Sequence, residues 1–374
     1  TSTSDPGDTP FSPVIDDATV TIAAPQISKK VIDSTPGYSG DVSNIHVGEL
    51  LTYRVEVTVP EGLSPNVRFE DLLDPGLAHI ESVDITLPAG VTSDVAIAAN
   101  EGILASGGGL EANDRLRVFG PGEKDDGFGN ITNSNASNDS PEVIIIDYQS
   151  RVLNSTLNVN STSLRNRARW YWEPDGESRQ NVQAKANRVI VVERNIRLTK
   201  NFTPDIGDNT TEPMVTITFE HSGASTADAF DLTLIDPLPN DMGILNGEAG
   251  VVVSGDCAPP DNIQVTTALS DTLTIEWDNF AMKDGVCQIS FQTRFLIPQV
   301  PAGAQFNNCV LTFWQSLSQF DQPLPTPPTS TIAAERTGDS ADIGGSANTY
   351  NTQACDIFRI YDVGIAKTVE GSSQ

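Results

Sequence analysis

The chain has 374 residues, of which 22 are basic and 50 acidic, for a formal net charge of -28. A surface this negative repels other polyanions, which argues against nucleic acid and anionic membrane as partners and favours divalent cations or high salt. No stretch approaches the roughly 18 apolar residues that a membrane-spanning helix needs, so this segment is not expected to insert in a membrane, and the length accommodates two or three domains with cores of their own.

In chain order, residues 1–26 (TSTSDPGDTPFSPVIDDATVTIAAPQ) have neither a basic start nor an apolar segment. They read as the tail of a preceding unit or as a strand donated to a neighbouring subunit. QISKKVID (26–33) then opens a lysine-bearing strand. In LLTYRVEVTV (50–59), Leu51, Tyr53, Val55, Val57 and Val59 fall on one face and Thr52, Arg54, Glu56 and Thr58 on the other. That alternation is the period of a half-buried strand. FEDLLDPGL (69–77) is an acidic turn, and residues 98–142 carry loop chemistry in ANEGILASGGGLEAND and KDDGFGNITNSNASNDS.

VIIIDYQSRV and LRNRARWYW follow as strands, and NRVIVVERNIRLTK leads into a second series. Its members are MVTITF, with Val215, Ile217 and Phe219 alternating, then LIDPLPNDM, CQISFQTRF and FNNCVLTFW. A long Pro/Ser/Gly-rich insertion separates FNNCVLTFW from DIFRIYDVGIAKT. No convincing amphipathic helix of useful length occurs.

The two series are copies. Lys30, Lys200 and Lys367 recur about 170 residues apart, and Asp71 and Asp236 are offset by about 165. Arg151 and Arg294, like Asn166 and Asn308, are offset by about 143. The drop of about 22 residues places an insertion in the first unit's 98–142 loop, and the later rise places one of similar size in the second unit. The expected fold is therefore all-β: two tandem immunoglobulin-like antiparallel β-sandwiches with loop insertions, over 27–194 and 195–362, with 363–374 (VGIAKTVEGSSQ) opening a following unit. Last strands that run directly into the next first strand make a stiff array.

The order of a lysine-bearing first strand, GELLTYRVEV, a DLLDPGL or DPLP turn, and a late asparagine strand running into aromatics resembles the bacterial and archaeal "conserved repeat domain", domain-of-unknown-function family number eleven. The likeness spans both units, although PMVTITFEHSG in the second lacks the Gly and Tyr of VGELLTYRVEV. Such domains occur in tandem in large secreted or cell-surface proteins. The resemblance therefore implies an extracellular, mainly structural or adhesive role.

Several groups are candidates for chemistry. Lys30, Asp71 and Asn166, with Lys200, Asp236 and Asn308 as a second set, stand in the order required for a spontaneous Lys–Asn isopeptide crosslink of the kind that ties first to last strands in many surface β-sandwiches. That reaction needs an apolar core to keep the amine neutral and an acid protonated. The competing reading has solvated lysines, turn-capping aspartates and strand-ending asparagines. Asp125, Asp126 and Asn130 in KDDGFGN offer clustered oxygens for Ca2+ but lack EF-hand spacing, as does DIGDNTTE at 205–212, and a hydrated acidic loop explains both as well.

Asn-X-Ser/Thr sequons at Asn130, Asn135, Asn138, Asn154, Asn160, Asn201 and Asn209 are candidate glycosylation sites. Four cysteines allow three pairings; nearest-neighbour closure gives Cys257–Cys287 and Cys309–Cys355. Trp170 and Trp172 share a face and could stack on sugars, but Trp314 at the matching place in the second unit favours packing. The only histidines, His46, His79 and His221, lie in no nucleophile motif, and no catalytic residues are expected.

The composite expectation is an extracellular or cell-surface structural protein, a stalk, sheath or filament of head-to-tail sandwiches. Its partners are neighbouring repeats or identical subunits, with strand exchange between subunits as an option. The alternative is a calcium-dependent adhesin whose loop insertions bind surface glycans or proteins.

Overall fold

The computed structural model describes residues 23–38, 40, 42–94, 102–104, 115–118, 129–135, 141–319, 335–339 and 345–361. Among the described residues there is no α-helix; strands follow one another from Gln26 to Ile360. The apolar-polar alternation of each strand builds sheets with one buried face. Leu51, Tyr53, Val55 and Val57 are at most 1 % exposed, while the intervening Thr52, Arg54, Glu56 and Thr58 are half-buried.

In the first half, one sheet runs in the order Gln26–Thr35, Leu50–Thr58, Val143–Val152, Leu77–Thr86. The facing sheet orders Gln180–Lys185, Arg167–Trp172, Gly62–Leu72, Arg115–Val118, Gly102–Leu104. In the second half, Ile196–Thr203, Met214–His221, Cys287–Phe295, Met242–Ile244 form one sheet. Its partner is Ile206–Gly207, Asn351–Ile360, Gln305–Gln315, Ala229–Pro237, Asp271–Phe280, Asn262–Thr267. Each half encloses its own apolar core: one is drawn from Val31 to Val191 and includes Phe69 and Trp170, the other from Ile196 to Ile360 and includes Phe219 and Trp277.

Around the lysine-bearing strands the ladders of the two halves have the same register. Lys29 stands across from Val55, which stands across from Ile146; Lys200 stands across from Ile217, which stands across from Ile289. Two residues further along the third strand, Tyr148 in the first half therefore corresponds to Phe291 in the second. On the facing sheets Asp71 lies opposite Ala168, two residues from Asn166. Ile235 lies opposite Leu311 at the end of its ladder, one residue from Asp236 and three from Asn308.

The halves meet through a buried polar junction. Arg336, 4 % exposed, donates from Nη1 to Glu193 Oε1 at 2.6 Å, from Nε to Asn154 Oδ1 at 3.1 Å and from Nη2 to the Ser155 carbonyl at 2.6 Å. Asn154 Nδ2 donates in turn to Asn348 Oδ1 at 2.7 Å and to the Glu335 carbonyl at 2.8 Å. Glu335, Arg336 and Asn348 belong to the insertion between the Gln305–Gln315 and Asn351–Ile360 strands, so part of that insertion returns to clamp the first half. The ring of Tyr38 packs 4.3 Å from that of Phe230, and Arg194 donates from Nε to the Asp228 carbonyl at 2.7 Å while its Nη2 meets His46 Nδ1 at 2.9 Å. Burial and the Arg194 charge hold the His46 imidazole well below the usual histidine range, so it sits there neutral.

Candidate functional site: two buried lysine, aspartate and asparagine clusters

In each half a lysine from the first strand reaches across the sandwich to an aspartate on the facing sheet. Strand alternation explains why. Ile27, Lys29 and Val31 share the inward face of their strand, and Leu198, Lys200 and Phe202 share that of theirs. Asp71 continues the inward face of Val67 and Phe69; Asp236 continues that of Leu232 and Leu234. Asn166 shares a face with Ala168 and Trp170, and Asn308 with Val310 and Trp314.

Lys29 Nζ pairs with Asp71 Oδ2, and Lys200 Nζ with Asp236 Oδ2; all four side chains have no exposed surface. In the first cluster Lys29 Nζ also contacts Tyr148 Oη, and Asn166 Nδ2 donates to the same Tyr148 Oη at 3.1 Å. The ammonium position lies 4.8 Å from the Tyr53 ring centre and 5.1 Å from that of Tyr148.

Burial dominates the electrostatics. It lowers Lys29 to about 8 against the opposing pull of Asp71, and lowers Lys200 likewise. It raises Asp71 and Asp236 above the usual carboxylate range against the pull of their lysines. Both shifts favour the neutral pair, an amine facing a carboxylic acid.

The unpartnered oxygens of the clusters are compatible with that protonation state. Asp71 Oδ1, Asn166 Oδ1, Asp236 Oδ1 and Asn308 Oδ1 are all buried without a hydrogen-bond partner. Two acceptor oxygens can satisfy each other only if one carries a proton. A protonated aspartate donating to the asparagine carbonyl would do so, and would polarise that carbonyl toward the lysine amine.

The residue selected by the repeat spacing, Lys30, is not part of the cluster. Its side chain is 49 % exposed, on the outer face, with Nζ 3.2 Å from Glu56 Oε1. Lys29 takes the inward position because period two, rather than the approximate spacing between copies, decides which face a side chain takes. Tyr148 was not singled out from the sequence either; its signal is a polar-tipped aromatic on the Ile144, Ile146, Tyr148 face.

The other candidates fall as follows. The disulfides Cys257–Cys287 and Cys309–Cys355 are both formed, the second between residues directly opposite in the ladder. Asn154 is 5 % exposed and its amide is consumed in the junction, so burial removes it as a glycan acceptor. Asn201 and Asn209 are exposed, Asn130, Asn135 and Asn160 partly so. Asn160 Nδ2 donates to the Ala224 carbonyl, and Asn135 Nδ2 to Glu142.

Asp125, Asp126 and Asn138 lie outside the described residues, as do 1–22 and 363–374. Among the described residues no group of three His, Cys, Asp or Glu could hold a metal ion. Asp208, in the DIGDNTTE loop, instead accepts from the Thr210 N–H and from the Thr210 and Thr211 hydroxyls, which hold its carboxyl below the usual range. Trp170 is fully buried, Trp172 packs against the same core and Trp314 is 3 % exposed.

The fold brings His221 Nδ1 to 2.7 Å from Ser225 Oγ, but the other ring nitrogen meets the Phe280 carbonyl at 2.9 Å rather than a carboxylate. That arrangement pins a turn and lacks the orienting acid of a hydrolytic triad.

No protein-family model matches the chain, and no curated protein matches it. Solved structures do. The C-terminal domain of the AgI/II polypeptide BspA of Streptococcus agalactiae aligns at TM-score 0.39 and 10 % identity, over 78 % of this chain and 96 % of that one. BcpA, the major pilin subunit of Bacillus cereus, aligns at 0.29 and 13 % over 81 % and 65 %. The RrgB pilus protein of Streptococcus pneumoniae aligns at 0.26 and 14 % over 84 % and 40 %.

Proposed function

We propose that the chain belongs to an extracellular structural protein, a stalk, sheath or filament built from sandwiches of the conserved-repeat-domain type over 27–194 and 195–362. Each sandwich seals itself with one Lys–Asn isopeptide bond, Lys29 to Asn166 and Lys200 to Asn308. The observation that carries this reading is the recurrence of a fully buried Lys–Asp pair beside an asparagine at register-equivalent positions of both halves.

In the reaction the neutral lysine amine attacks the asparagine Cγ, the Nζ–Cγ bond forms, the Cγ–Nδ2 bond breaks and ammonia leaves. The aspartate, held protonated by burial, hydrogen-bonds the carbonyl oxygen as negative charge develops on it. Nothing is oxidised or reduced, and each site turns over once, so the protein acts on itself rather than as an enzyme. The bond would join the first strand of one sheet to a strand of the facing sheet, so that pulling on the first strand no longer peels it from the sandwich.

The buried junction supports stiffness between units, and the two disulfides suit an oxidising exterior. Intact-mass measurement tests the proposal. The folded chain is expected to lack the mass of two ammonia molecules relative to its sequence with both disulfides formed, and Lys29→Ala or Lys200→Ala to restore one each. A folded chain of unmodified mass overturns it. Electron microscopy of the native material would then distinguish ordered polymers from isolated rods.

A further inference from the structure

The two clusters share lysine, aspartate and asparagine but differ at two neighbouring core positions, where Tyr53 and Tyr148 of the first correspond to Val215 and Phe291 of the second, and only Tyr148 hydrogen-bonds the lysine nitrogen. In the first, the Tyr148 hydroxyl touches both nitrogens that exchange partners in the reaction: Lys29 Nζ and Asn166 Nδ2, the latter at 3.1 Å. In the second, the register-equivalent residue is Phe291, 1 % exposed and without a hydroxyl. The amide of Asn308 accordingly has neither Nδ2 nor Oδ1 in a hydrogen bond, whereas Asn166 Nδ2 has one.

Resting on the crosslinking reading above, we propose that Tyr148 is a catalytic residue of the first sandwich, a proton relay between the attacking amine and the departing one, and that the second sandwich crosslinks more slowly for want of it. Attack by neutral Lys29 gives a tetrahedral carbon bearing a positively charged Nζ and a poor leaving group, Nδ2. Tyr148 Oη accepts the Nζ proton while its own hydroxyl proton passes to Nδ2. The Cγ–Nδ2 bond then breaks, ammonia departs, and the phenol ends as it began. The geometry suits the transfer because one oxygen already bonds both nitrogens, so no side chain has to move between the two proton transfers.

Burial keeps the phenol protonated, since it raises Tyr148 well above the usual tyrosine range, with the Asp71 carboxyl adding to the effect. Tyr148 therefore keeps a proton to give while Lys29 and Asp71 hold the reactive protonation state. In the second sandwich Asp236 has no such intermediary and must itself carry the proton from Lys200 to Asn308.

The experiment uses the full chain, taken unfolded from denaturant and refolded under oxidising conditions. Samples are quenched at intervals and the Lys29–Asn166 and Lys200–Asn308 linkages quantified separately by peptide mass mapping. In the native chain the first bond is expected to form faster than the second. Tyr148→Phe is expected to slow the first at least about tenfold, within the roughly 10²–10⁴-fold attributed to positioned proton transfer, with the second bond in the same molecule as internal standard. Phe291→Tyr is expected to accelerate the second bond and keeps the test decisive should Tyr148→Phe fail to fold.

A Tyr148→Phe chain that folds and forms the first bond at the native ratio to the second overturns the relay. So does a folded Phe291→Tyr chain with no gain in the second bond. If neither bond forms in the native chain, it is the crosslinking reading itself that has failed, an outcome readily told apart from the other two.

Discussion

Lys29 and Asp71 are paired with no side-chain surface exposed, whereas Lys30, the next residue, is half exposed beside Glu56. The two lysines therefore make a matched test. Lys29→Ala leaves the buried Asp71 acid without its partner and is expected to cost about 1–3 kcal/mol in addition to the lost crosslink. Lys30→Ala is expected to stay within about 0.5 kcal/mol. Thermal melts with intact masses check both, and a chain that keeps its crosslink without Lys29 would contradict the assignment.

The pH dependence of crosslinking follows from the same pair. The reactive form holds one proton between lysine and aspartate, with the amine neutral and the acid protonated, and the pair titrates as a unit. Lys29, lowered by burial to about 8, sets the alkaline limb, because above it the pair loses its last proton and Asp71 can no longer polarise the carbonyl. On the acid side a second proton holds Lys29 as ammonium. The rate is expected to be bell-shaped, falling above about pH 8; a rate rising steadily to pH 10 would contradict the role given to the acid.

For the uncrosslinked fold the two shifts act in opposite directions. The lowered Lys29 means that the unfolded chain binds more protons between about 8 and 10.5, so stability rises with pH in that window. The raised Asp71 means that the folded chain binds more protons above 3.8, so its contribution is lost as pH rises through the folded value. An uncrosslinkable Asn166→Ala chain, melted as a function of pH, is expected to show the alkaline rise, and Lys29→Met in that background to remove it.

The sheets were legible in the sequence because half-buried strands write their period into the order of residues, as LLTYRVEVTV does. Asp71, Asn166, Asp236 and Asn308 were legible as repeated landmarks. Lys29 was not, because copy-to-copy spacing is uncertain by a residue wherever a bulge intervenes, and the first strand has one between Val31 and Asp33. Tyr148 escaped notice because an inward tyrosine looks like any core aromatic until its hydroxyl is seen among polar partners. The junction was invisible for a different reason: Arg336 lies about 180 residues from Asn154, within an insertion whose composition reads as loop.

Glycosylation separates surface from junction. Expressed through a eukaryotic secretory pathway, the chain is expected to carry glycans at exposed Asn201 and Asn209 and none at Asn154. Site occupancy by glycopeptide mass spectrometry checks this. Substantial occupancy at Asn154 would mean that the junction is open when the chain meets the transferase.

The junction makes its own prediction. Arg336 uses Nε, Nη1 and Nη2 on three separate partners, Asn154, Glu193 and Ser155, an arrangement that the single ammonium of lysine cannot reproduce. Burial already raises Glu193, with the Arg336 charge as the main force holding it down. Arg336→Ala should therefore leave a buried carboxyl that takes up a proton or admits water, at a cost of about 3–5 kcal/mol. Because these contacts join the halves and not the interior of either, the loss should appear as uncoupling: one calorimetric transition becomes two, and protease cuts near residues 192–195. Arg336→Lys should recover little of the coupling. Arg197→Ala, which removes an exposed pair with Glu220 at 3.6 Å, should leave the single transition intact. If Arg336→Ala melts like the native chain, the halves are held rigid by packing around Tyr38 and Phe230 instead, and Phe230→Ala becomes the variant that separates them.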